Sequence, residues 1–101
     1  MNRVLEDVIH RNASVVDRIT VESTQGYVVS DNIANAVAES SFDNTSAQAI
    51  VKHIHGILVS TCQSAVRDID PANSVCFLRL ATRKFEYLVA PEEYFTVTVV
   101  Q

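Results

Sequence analysis

The sequence predicts an α+β fold with the element order α-β-β-α-β-β-β, a sandwich built on an antiparallel five-stranded sheet with helices on both faces. Apolar residues repeat at helical spacing near the N-terminus and again over 46–69, and they alternate at strand spacing in between. Three further strand-like runs, separated by short turns, follow the second helix. At 101 residues the chain is expected to form a single domain spanning 1–101.

The N-terminal part is predicted to be a short helix followed by a β-hairpin. The helix ends near Asn12 and carries one apolar stripe, which consists of Val4, Leu5, Val8 and Ile9. Apolar residues then alternate over 15–22, and 27–30 forms the second strand. The turn is expected in the sequence STQG, because Gly26 tolerates backbone angles that other residues disfavour.

The longest helix is predicted over 46–69. Residues 31–45 are small and polar and are expected to form a long connection, with space for one helical turn at 32–39. Thr45 and Gln48 have the spacing of a capping box, which marks the start of the helix. At 1.5 Å per residue this helix would be roughly 35 Å long.

This helix is apolar around most of its circumference. One stripe consists of Ile50, Ile54, Ile57, Leu58, Thr61 and Ala65, and a second one of Val51, Val59, Cys62, Val66 and Ile69. Such a helix needs cover on more than one side, and in so small a domain a second copy of the chain is the natural source.

Three strands are predicted after the helix, over 74–82, 85–90 and 94–100, and consecutive antiparallel pairing is their simplest topology. Both alternating sets of side chains are apolar in the first of them. Cys76, Leu78 and Leu80 would face one side, and Val75 and Phe77 the other. This pattern favours a sheet that is covered on both faces.

Charge and composition argue against several classes of partner. The net charge is −4, and the pair Arg83–Lys84 is the largest basic cluster, so neither nucleic acid nor direct membrane binding is expected. The N-terminus is too charged for a signal peptide. Cys62 and Cys76 do not form a metal-binding or disulfide pattern, which is typical of a reduced, cytoplasmic protein.

The sequence offers little for catalysis or cofactors. His53 and His55 would point to different faces of the helix and are expected to be exposed. Gly26 and Gly56 are the two glycines, too few for a phosphate-binding loop. Gly56 either permits close approach of a second helix or is simply tolerated. We therefore predict no catalytic, metal-binding or cofactor-binding residues.

The stretch VRDIDPANS, residues 66–74, is predicted to end the helix rather than to form an acid–base site. Asp70 and Pro71 suit the first two positions of a type I turn, and proline disfavours helical geometry in the residue before it. Asp68 and Asp70 would be held by backbone amides of the turn or by Arg67 and Arg79.

The last third of the chain resembles the roadblock family of dynein light chains. The matching pieces are VRDIDP, FLRL, the basic turn RK, VAP and YFTVTVVQ, in the order and spacing of the family, and ITVESTQG is similar to its first hairpin. The connection after Gly26 is longer than is usual in the family.

This resemblance implies a roadblock-like homodimer without catalytic activity or cofactors. It implies that the long helices lie side by side, that the strand at 75–80 pairs with its counterpart, and that the protein binds the dynein intermediate chain in the cytoplasmic, cytoskeleton-associated motor complex. The expected dimer interface comprises Ile54, Leu58, Thr61, Cys62, Ala65, Val75, Cys76, Phe77, Leu78, Arg79 and Leu80.

Two alternatives remain open at the level of sequence. One is a roadblock-like scaffold or regulator of small GTPases. The other is a ligand-binding protein or hydrolytic enzyme centred on Cys62 or Asp68, which would require a deep polar pocket around one of these residues.

Overall fold

The structure, a computed structural model, describes residues 24–101, which form an antiparallel five-stranded sheet and one long helix. This confirms an α+β fold. The strands lie in the order β2-β1-β5-β4-β3. They are Gly26–Asp31 (β1), Ala36–Ser40 (β2), Leu78–Ala81 (β3), Glu86–Pro91 (β4) and Phe95–Val100 (β5). The first predicted helix and the predicted strand at 15–22 lie outside the described residues.

The long helix, here called the central helix, consists of three consecutive segments. These are Asn44–Ile50 (α1), Val51–Leu58 (the π segment) and Val59–Ile69 (α2). The residues at both junctions have right-handed helical backbone angles, so the axis is uninterrupted. At the end of the π segment the Val59 N–H donates to the Ile54 carbonyl, five residues back, which gives a wider turn than in an α-helix.

The ends of the central helix agree only partly with the sequence prediction. The capping box at Thr45 is wrong, because the N-cap is Asp43, whose side chain makes no capping bond and whose carbonyl accepts from the Ala47 N–H. The predicted end is confirmed. Asp70 has an extended backbone, its carboxylate accepts from the Ala72 N–H, and its carbonyl accepts from the Asn73 N–H.

The predicted long connection is wrong, because 36–40 form β2 and turn the region after β1 into a hairpin. The Asp31 carboxylate accepts hydrogen bonds from the N–H groups of Ile33 and Ala34, and Asn35 takes a positive φ of 53°. Asparagine tolerates this left-handed conformation, so the turn overrides the helical tendency of the alanines that follow. β1 pairs with β2 on one side and with β5 on the other.

The three C-terminal strands pair consecutively and antiparallel, as predicted, but β3 begins later than expected. The Val75 N–H donates to the Gln63 side-chain oxygen, and the Gln63 amide donates to the Val75 carbonyl. The backbone N–H and C=O of Val75 thus bond to the central helix, and the chain begins to pair with β4 only at Leu78. β3 is half-buried at Leu78 and exposed from Arg79 onwards, so the described residues alone do not provide the predicted two-sided cover of this strand.

The sheet has apolar clusters on both faces. Because side chains alternate along β1, Val28 and Val29 point to opposite faces, and both are fully buried. Val28 packs with Ala47 and Val51 of the central helix. Val29 belongs to a second cluster of buried residues, which also contains Leu88, Ala90, Val97 and Val99. The partly buried Phe77 packs against this second cluster.

We expect the two glycines to respond oppositely to alanine. A Cβ at the buried Gly26 would lie 2.5–2.8 Å from ring atoms of Phe42, which packs against the Val28 cluster, so Gly26→Ala should cost about 1–2 kcal/mol of unfolding free energy. Among the described residues, a Cβ at Gly56 would meet only the Val51 carbonyl, at 3.4 Å, so Gly56→Ala should gain about 0.5–1 kcal/mol of unfolding free energy. Urea unfolding measures both changes, and a stabilised Gly26→Ala variant would contradict this packing.

Candidate functional site

The predicted interface residues on the central helix follow one flank of it. Ile54, Leu58 and Cys62 are half-buried, whereas Thr61 and Ala65 are exposed. Ile54 and Leu58 each precede a buried residue, so this flank adjoins the face that rests on the sheet. The structure therefore leaves the flank partly open within one chain.

The predicted interface residues in 75–80 lie at or near an edge of the sheet. β3 is the last strand in the sheet order, and β4 is its only neighbour among the described strands. Val75, Phe77 and Leu78 are half-buried, and Cys76, Arg79 and Leu80 are exposed. Arg79 forms an ion pair with Glu86 of β4, not with the aspartates of the turn. Gln63 joins this segment to the central helix through its two bonds to Val75.

His55 is the polar group that the sequence analysis placed wrongly. It was expected on the surface, but only 8% of it is exposed. Its Nδ1 lies 2.6 Å from the Ser30 hydroxyl of β1, and its Nε2 lies 2.5 Å from the Thr98 hydroxyl of β5. Both hydroxyl residues are also buried. His55 therefore connects the central helix to two adjacent strands through hydrogen bonds.

The signal for a buried His55 was its place in a four-residue repeat. The buried residues of the central helix are Ala47, Val51, His55 and Val59, one in every four. Of the two apolar stripes taken from the sequence, the second contained the buried Val51 and Val59 without His55, and the first contained Ile57, which is 56% exposed.

Burial lowers the pKa of His55 to about 4, because the charged imidazolium would lose its hydration. The ring is thus neutral at neutral pH, with one ring nitrogen donating and the other accepting a hydrogen bond. The Ser30 and Thr98 hydroxyls can complement either tautomer. Since both hydroxyls are buried and held by the ring, neither is presented as a nucleophile to solvent.

Two open grooves flank the central helix near Gly56. The first, here called the β2 groove, has a volume of about 750 Å³ and is lined by residues that include Asn35, Val37, Gln48, Lys52, Gly56 and Ile57. The second, the His55 cleft, measures about 390 Å³ and is lined by residues that include Asn32, His55, Gln63, Glu92 and Thr96. Both grooves include Asn35 and Gly56, so they adjoin beside the β1–β2 turn.

Neither groove contains the residues that the enzyme hypothesis named. Cys62 is a half-buried free thiol and Asp68 is exposed, and neither lines the β2 groove or the His55 cleft. Within 24–101, no cluster of three or more histidine, cysteine or acidic side chains could hold a metal ion. No helix in the same part of the chain is long and apolar enough to cross a bilayer. No model of a known protein family matches the chain.

His55 should make the unfolding free energy fall in acid. Its pKa is about 4 in the folded protein against 6.5 in an unfolded chain, so unfolding takes up a proton between these values. The stabilisation is complete above pH 6.5 and is lost as the pH falls to about 4, by up to about 3 kcal/mol.

His55→Gln should remove this contribution to the pH dependence, because glutamine can form hydrogen bonds but does not titrate in this range. His53→Gln, which changes an exposed histidine in the same helix, is the matched control and should keep it. Urea unfolding of the three proteins at about pH 7 and about pH 4.5 measures the difference. Equal acid losses in the wild type and His55→Gln would contradict the buried, neutral imidazole.

Proposed function

We propose that this protein is a non-catalytic, dimeric light chain of the roadblock family, which binds the dynein intermediate chain as an assembly or cargo-adaptor subunit in microtubule-based transport. Its place would be the cytoplasmic, cytoskeleton-associated dynein complex. In the dimer, the half-buried flank of the central helix and β3 would meet the same elements of a second copy, and helices would cover both faces of the joined sheet.

The observation that carries this proposal is the apolar surface that the central helix leaves open. Ile69 is 85% exposed, although only one face of the helix has to rest on the sheet. Isolated exposed apolar side chains are common, but here Ile69 accompanies the half-buried apolar flank of Ile54 and Leu58. A second copy of the chain offers an apolar surface of the same kind.

The exposed edge of β3 supports the same arrangement. Leu80 is 38% exposed, and β3 pairs with β4 alone among the described strands. A strand edge with unpaired N–H and C=O groups favours pairing with another strand, and a twofold axis beside β3 would pair it with its own copy. The resemblance of VRDIDP and the following strands to the roadblock family supplies the identity of the partner.

Ala65→Glu should separate folding from association. Ala65 is exposed on the flank proposed as the interface, so a charge there costs little in the single chain but would be buried in the dimer. By light scattering after gel filtration, we expect the variant to have half the mass of the wild type, and we expect its circular dichroism spectrum to be unchanged. Ile33→Glu, at a residue that is 84% exposed on the β1–β2 turn, is the control and should remain dimeric. Ala65→Glu with the wild-type mass would contradict this interface.

The partner is tested by pull-down with purified intermediate-chain fragments, with a panel of small GTPases assayed in parallel. We expect the dimer to retain an intermediate-chain fragment and the Ala65→Glu variant to retain less of it, because a site formed by two copies is lost in the monomer. Retention of a GTPase with no intermediate-chain fragment retained would contradict the dynein assignment.

A further inference from the structure

β2 is the edge strand of the described sheet on the side opposite β3. It stands at the end of the sheet order and pairs only with β1 among the described strands. Its sequence, AVAES, contains neither the proline nor the lysine that commonly protects an edge strand. The outward N–H and C=O groups of this edge can therefore bond to an added strand.

The β2 groove runs between this strand and the central helix. Val37 and Val51 give it an apolar base, and Val51 is buried. One wall consists of the polar residues Asn44, Gln48 and Lys52, spaced four residues apart on the central helix. At the next position of this repeat stands Gly56, where the missing side chain keeps the groove open.

Lys52 favours a negatively charged side chain on a partner that binds in the β2 groove. It is exposed, it is the one cation among the residues lining the groove, and no lining residue is acidic. Lys52 forms no ion pair with the residues that the structure describes. A carboxylate placed in this groove would thus meet an available ammonium group without competition from another lining residue.

We propose that an extended segment of a partner protein adds to the outer edge of β2, with an apolar side chain in the β2 groove and a carboxylate on Lys52. Its backbone would bond to β2, and alternate side chains, two positions apart, would face the central helix. The five residues of β2 span about 17 Å, which fits a segment of about five or six residues. This site lies on the opposite flank of the helix from Ile54 and Leu58, so it is independent of the proposed dimer interface.

The probe is a blocked hexapeptide with valine at its second position, aspartate at its fourth, and threonine or serine elsewhere. Titrated into the isotopically labelled full chain, it should shift the amide resonances of 36–40, Lys52 and Gly56 in a saturable manner, with a dissociation constant below about 1 mM. No saturable shifts, or saturable shifts only elsewhere, would overturn the proposal.

Charge reversal tests the role of Lys52. Lys52→Glu should weaken binding about fivefold or more, and a peptide with lysine in place of aspartate should bind this variant better than the wild type. Lys84→Glu makes the same charge change on the exposed β3–β4 turn, away from the groove, and should bind like the wild type. Equal weakening by both variants would show only an effect of net charge and would overturn the site.

The backbone contribution and the groove are tested separately. Two versions of the hexapeptide are made, one with the odd-numbered and one with the even-numbered backbone amides methylated. The version that lacks the N–H groups facing β2 should lose binding, because an added strand needs those groups. Gly56→Leu should fill the groove and abolish binding, while circular dichroism confirms an intact helix. If neither change affects binding, the proposal is overturned. It is also overturned if the wild-type chain binds no peptide and the Gly56→Leu variant has half the solution mass of the wild type, because the groove would then be occupied by a second copy of the chain.

Discussion

The contact between the central helix and the sheet is the constraint on which the rest of the structure depends. The helix makes this contact with every fourth residue from Ala47 to Val59. Four-residue steps overshoot an α-helical turn by about 40°, so a stripe from Ala47 to Val59 would drift by about 120° around a regular α-helix. The wider turns of the π segment reduce this drift. His55 and Val59 thereby remain on the face that begins with Ala47 and Val51.

This single contact face divides the remaining helix surface into two flanks. Residues one position after the buried stripe, such as Lys52 and Gly56, line the β2 groove. Residues one position before it, Ile54 and Leu58, are half-buried and apolar. The two flanks differ in polarity and lie beside different parts of the fold. The proposed self-association and the proposed peptide binding therefore use different surfaces.

His55 gives this arrangement a polar element that packing alone would lack. Apolar side chains between a helix and a sheet tolerate small displacements, whereas hydrogen bonds at 2.5 and 2.6 Å to two strands fix the position of the helix along them. These hydrogen bonds require the buried imidazole of His55 to stay uncharged. The central helix is thus held more firmly at neutral pH than in acid.

The sequence predicted what depends on local pattern and missed what depends on pairing. The end of the central helix at Asp70, the consecutive pairing of the last three strands and the α+β class all followed from periodicity and from the proline. β2 was missed because its alanines favour a helix, and its strand state depends on the turn at Asn35 and the available edge of β1. The start of β3 was placed too early because the bonds between Gln63 and Val75 cross twelve residues.

The difference between local pattern and strand pairing also explains which residues of the candidate site could be predicted. The interface residues were implied by the resemblance to the roadblock family, and the structure shows Ala65 and Leu80 among them to be exposed. The burial of His55 was missed because the sequence of the helix gives no indication of the hydroxyls opposite this histidine. Ser30 and Thr98 are brought to His55 by the pairing of β1 with β5.

The central claim, that a second copy covers the open surface of the central helix and β3, is tested most directly by light scattering after gel filtration of the full chain at micromolar concentration. A dimer would elute as one species of twice the chain mass of 11.2 kDa. A single species at 11.2 kDa would contradict the claim.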